Sequence, residues 1–128
     1  MALAQAFAKA VQDHVHGVAA LTMPTGHKVK LLTVAATSTA GGTEVSGGSY
    51  PAGGIAITFG AATTATPSVS ANSAVVSQTS MPACTVVGID VTSGSGTRIE
   101  FGPLDASKTL GAGDSITFAI GAISSALQ

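Results

Sequence analysis

Apolar residues recur every fourth position at the start of the chain, at Leu3, Phe7, Val11 and Val15. Ala is abundant from Ala2 to His16, and Gly and Pro are absent. That stripe predicts one helix, closed by Gly17. Beyond it the period changes from about four to two. "KVKLLTVAA" (Lys28 to Ala36) begins with alternation and turns apolar, as a strand entering a core does. "SAVVSQ" and "CTVVGIDV" read as further strands. Three segments share one motif: Ile57-Thr58-Phe59, Ile99-Glu100-Phe101 and Ile116-Thr117-Phe118. On a strand, positions i and i+2 face the same way. Each motif is therefore expected to send Ile and Phe into one core and its polar residue outward. "TSGSGT" (Thr92 to Thr97) and "GAGD" (Gly111 to Asp114) read as hairpin-type turns. The pattern predicts a mainly β fold, an antiparallel β-sandwich or barrel-like domain led by one N-terminal α-helix. The expected division is a helix over 1–17 and a single β domain over 18–128.

Length agrees with a single domain, at 128 residues. Composition changes the picture of the surface. Charged residues make up 9% of the chain, against a usual ~25%, and the net charge is −1. No basic patch is available for nucleic acid, so none is expected as a partner. No apolar run approaches the ~20 residues that span a bilayer, and the N-terminus lacks the basic start of a signal peptide. No membrane association is expected. Ser and Thr must cover the surface, and a neutral, hydroxyl-rich surface is weakly protected against self-association. The reading is a subunit whose surface is occupied by neighbours.

Candidate chemistry is sparse. "GGTEVSGGSYPAGG" (Gly41 to Gly54) holds six glycines in three pairs, with Glu44, the single tyrosine Tyr50, and Pro51 between them. No Lys or helical pattern follows these glycines, so neither a P-loop nor a dinucleotide fingerprint fits. Ser49 has Gly47 before it but Pro51 after it, which fails the nucleophile-elbow pattern. The stretch is read as an exposed arm held by something else. Cys84, the only cysteine, lies in an apolar run and reads as inert. His14 and His16 sit at the predicted helix end, where i and i+2 point roughly 200° apart. No metal site is assigned to them, a metal shared around a symmetry axis being the alternative. Asp105 and Asp114 read as turn formers. No carboxylate pair has acid/base spacing. No catalytic residue and no cofactor is assigned, and no enzymatic activity is expected.

Two segments carry a resemblance. "GTEVSGGSY" (Gly42 to Tyr50) followed by "AITFGAA", and "LDASKTLGAGDSITFAIGAISSAL" (Leu104 to Leu127), resemble stretches of the tail-fibre-like proteins of tailed bacteriophages. The helix followed by "LTMPTG" (Leu21 to Gly26) is similar as well. The chain departs from that pattern after Tyr50, where Pro51-Ala52 stand in place of a frequent Arg. The family includes proteins that sit on tails and proteins that decorate capsid shells. A fibre shaft needs heptads, collagen-like triplets or other repeats, and this chain has none. The resemblance together with the missing repeats implies a virion structural protein, a minor capsid or decoration protein. It is expected to bind the outer shell as a symmetric oligomer, a trimer, with itself and the major capsid protein as partners. The alternative is a tail fibre or tail-tip protein involved in host receptor binding. The expected location is the virion, assembled in the bacterial host cytoplasm. The expected contacts are the helix stripe Leu3, Phe7 and Val11 and the arm around Glu44, Tyr50 and Pro51.

Overall fold

The computed structural model describes residues 1–127. Its elements run β1 (Ala2–Leu3), α1 (Gln5–Val15), β2 (Lys28–Val34), β3 (Thr43–Glu44), β4 (Ile55–Ala56), β5 (Ser68–Ala71), β6 (Val76–Gln78), β7 (Cys84–Thr92), β8 (Arg98–Leu110), β9 (Ile116–Phe118) and β10 (Ser124–Leu127). The fold is mainly β and antiparallel, with one short helix, as the pattern predicts. The main sheet has the order β1-β8-β7-β2-β3, and β4 also pairs with β2. Two ribbons, β5 with β10 and β6 with β9, complete it.

Residues directly opposite in an antiparallel ladder share a face. That rule assigns the sheet. Leu3, Glu100, Val91, Val29 and Ile55 form one cross-strand row, and Gly102, Ile89 and Leu31 form the next. Both rows point to one side. Val29, Leu31, Val86 and Ile89 are buried there against Val76, Ile116, Ile123, Met81, Ile57 and Tyr50 from the ribbons and loops. The core is therefore a layer between the main sheet and the two ribbons, filled almost wholly by aliphatic side chains. The opposite face carries Lys30, Asp90 and Phe101 in one row.

The Ile-polar-Phe burial pattern holds for two of its three segments, although 57–59 lies beyond the end of β4 rather than on a strand. Ile57 and Ile116 are buried in the core, Phe59 and Phe118 pack against it, and Thr58 and Thr117 are exposed. The third departs from it: Ile99 is buried as expected, but Glu100 is buried too, at 7% exposure, and half-buried Phe101 faces the other side. The ladder explains this. Val91 pairs with Glu100 and Thr92 with Arg98, so Ile99 is the extra residue of a β-bulge. Glu100 thereby falls in register with core-facing Val91 and Val29.

The helix also differs from its prediction at its start. Ala2–Leu3 pairs with β8 as an edge strand, so Leu3 does not belong to the helical stripe. At its other end α1 stops as predicted. The Gly17 N–H donates to the His14 carbonyl and the Val18 N–H to the Asp13 carbonyl, at 3.2 and 2.8 Å. That pair of bonds is the Schellman arrangement, and it requires the left-handed φ of +73° that Gly17 adopts. "TSGSGT" forms the β7–β8 hairpin connection. "GAGD" is a turn closed by the Gly111 N–H bonding the Asp114 carboxylate at 2.8 Å, but it is not a hairpin. The following strand, β9, pairs with β6 rather than returning along β8.

Candidate functional site

The predicted site residues fall into two groups with opposite surroundings. The glycine-rich stretch is no free arm, because it closes onto its own domain. Tyr50 is buried within the core, and its Oη accepts the Leu31 N–H at 3.1 Å. Burial pushes the Tyr50 phenol well above its usual range, the bond from Leu31 opposes this, and the nearby Glu44 carboxylate adds to it. Glu44 is half-buried, and its Oε1 accepts the Gly53 N–H at 2.9 Å. Gly54 adopts φ +107°, and a Cβ there would lie 2.6 Å from the Val29 carbonyl oxygen. Gly54 is thus needed for close backbone approach to β2, as is Gly42, where a Cβ would lie closer still to the Val34 carbonyl oxygen. Of the three residues named for this stretch, only Pro51 is exposed.

The helix behaves differently. Phe7 and Val11 are half-buried and Val15 is 71% exposed, and no residue of α1 is buried. Backbone tethers hold it in place. Ala4 donates to the Ile99 carbonyl and Gln5 to the Ser38 carbonyl, each at 2.9 Å. The Leu21 N–H donates to His14 Nδ1 at 3.0 Å, drawing the following segment alongside the helix end. Between α1, residues 20–26 and the β7–β8 turn runs a groove of about 590 Å³. Its lining includes Phe7, Ala10, Leu21, Met23 and Pro24, and no lining residue is charged. A second cleft, of about 510 Å³, lies beneath a wide bulge of β8. There Leu104, Phe118 and Ile123 meet Asp105, Lys108 and Thr117.

Cys84 lies on β7, half-buried against the core, and burial pushes its thiol up. A thiol of this kind is a poor nucleophile. His14 and His16 are exposed, and among the described residues no group of three His, Cys, Asp or Glu comes together to hold a metal. His27 packs edge-on against Phe59, with ring centroids 6.0 Å apart.

One polar constellation escapes sequence reasoning. Arg98 Nε donates to Asp90 Oδ2 at 2.9 Å, and its Nη2 donates to the Thr37 carbonyl at 2.9 Å. The same guanidinium lies 5.4 Å from the Phe101 ring centre. Asp90 is 1% exposed, and its Oδ1 has no partner. The two residues are eight apart in sequence, across the hairpin, and only the bulge at Ile99 brings them to one face. Arg98 thus ties the segment after β2 across the outer face of the sheet. The arrangement is a structural clamp, joining β7, β8 and the segment after β2.

A model of the family described as Podophage GP4 fiber I protein gp80 matches residues 2–126. No curated protein matches the chain.

Proposed function

The chain belongs to the podophage GP4 fibre I protein family, a family of phage fibre-like structural proteins, and from that premise we propose that it is a globular module of the virion's tail fibre. The observation that carries the reading is the near-complete match to a fibre family by a chain whose length is spent on a single β domain. β-hairpins and short ribbons occupy the stretch where a shaft would need repeats. The module would form a head or joint of the fibre and act by contact rather than by catalysis.

A second reading is a decoration protein on the outer shell, in contact with the major capsid protein. The absence of shaft repeats is equally compatible with it, because a compact domain suits a shell cap as well as a fibre head. The two readings separate by position and copy number. Purified particles are dissociated into heads and tails, and each fraction is measured by quantitative mass spectrometry. The fibre reading expects the chain with the tails at a few copies per particle. Recovery with the heads at many copies overturns it in favour of the shell. Absence from both fractions overturns both.

A further inference from the structure

The area that the chain exposes exceeds what a self-contained domain of its mass needs. For 12.3 kDa, folded monomers expose about 6,100 Å² by the usual scaling with mass. This chain exposes 7039 Å². The excess, about 900 Å², is close to the roughly 800 Å² that each partner buries in an interface of standard size.

The most apolar part of that surface lies at one end of the molecule. Val15 is 71% exposed, Val18 75% and Met23 78%, the three highest values among the large exposed apolar residues. Met23 lines the uncharged groove together with Phe7 and Leu21, while Val15 ends α1 and Val18 follows it, outside the groove's lining. Lys9 and Asp13, on the same helix, pair with each other and do not line the groove. A surface without charge has no means to select a charged peptide or nucleic acid. It is complementary to another apolar, uncharged surface, and a two-fold contact brings just such a copy of itself. The net charge of −1 offers little repulsion to that approach.

We propose that this face, from α1 to Met23, is a self-association surface, with Val15, Val18 and Met23 of a second copy seated against the groove. The proposal takes its setting from the virion-component reading but does not need it to be correct. The test uses the whole purified chain in sedimentation velocity, over concentrations up to roughly 100 μM. Wild type is expected to form a dimer or larger symmetric oligomer. Val15→Glu and Met23→Glu, each at an exposed position, are each expected to weaken it by tenfold or more, about what losing one interface anchor costs. Ile120→Glu, at an exposed position outside the groove, is expected to leave it unchanged. Melting curves establish that each variant folds. A wild-type chain monomeric throughout, or an oligomer that Ile120→Glu weakens as much as the other two, overturns the proposal. Position on the particle is judged separately by the head and tail fractions. A chain found in particles yet monomeric in solution therefore sinks only this inference.

Discussion

Residues 41–54 carry six glycines and almost no regular structure, yet they are fixed to their own domain. α1 is a regular eleven-residue helix, yet none of its residues is buried. Regularity and commitment to the core have come apart. The glycine loop is fixed by a buried phenol, a carboxylate bond to backbone and backbone packed against β2. The helix is fixed by hydrogen bonds at its ends. Helices of this length are marginal in water without packing, so those tethers matter, and they hold Phe7 and Val11 half-buried while Val15 stays 71% exposed. Surface available to a partner lies on the ordered element, and the irregular element spends its side chains internally.

Substitutions break the comparison most sharply in the loop. Gly54→Ala forces an alanine into a left-handed conformation with its Cβ against the Val29 carbonyl. It is expected to cost about 3 kcal/mol in urea unfolding. A cost below about 0.5 kcal/mol would mean that the loop is loose after all. Tyr50→Phe keeps the ring but strands the Leu31 N–H in the core, for about 2 kcal/mol.

The same phenol gives a pH test. Its folded pKa lies above the ordinary 10.0. Below that ordinary value both states hold a neutral phenol, and its contribution to stability is fully present. As pH rises past 10.0, the unfolded chain loses the proton first, so stability falls until the folded pKa is reached. With one Tyr and no Trp in the chain, tyrosinate absorbance reports this group alone. Signal is expected to appear together with unfolding rather than at 10.0; appearance in the still-folded protein would place Tyr50 in water.

The smallest effect is expected on the helix. Val15→Ser, at an exposed position, is expected to change monomer stability by no more than about 0.5 kcal/mol, read from urea midpoints at low protein concentration. A larger loss would show that the helix face is part of the domain core, which would remove the contrast with the loop.

Much of this was legible in the residues themselves. Alternation marked β2 and β7 almost to their ends, and Gly17 marked the helix stop, because both signals are local. "GAGD" announced a turn through the Gly111–Asp114 geometry but gave no partner for the strand after it. β5 and β10 carry little apolar pattern, and they exist because each supplies the other's hydrogen bonds. Of the contact residues inferred from sequence, Phe7 and Val11 lie on the groove-bearing helix, whereas Tyr50 and Glu44 are used within the chain. A tyrosine among glycines reads as exposed, since burial depends on what folds over it.

By itself, then, the sequence determined a neutral, hydroxyl-covered, aliphatic β domain, an amphipathic helix ahead of it, and membership in a fibre-like lineage. The first two follow from composition and short-range period, and the lineage from a resemblance carried by motifs in order along the chain. Tertiary structure decided which side of each strand met the core. One added residue at Ile99 turned Glu100 inward and brought Arg98 to Asp90, since a single-step slip reverses every side chain beyond it. It also decided that Gly42 and Gly54 pack against β2 and that no residue of α1 is buried. Both outcomes depend on which segments, distant in sequence, fill the space above the sheet, and no local pattern encodes that.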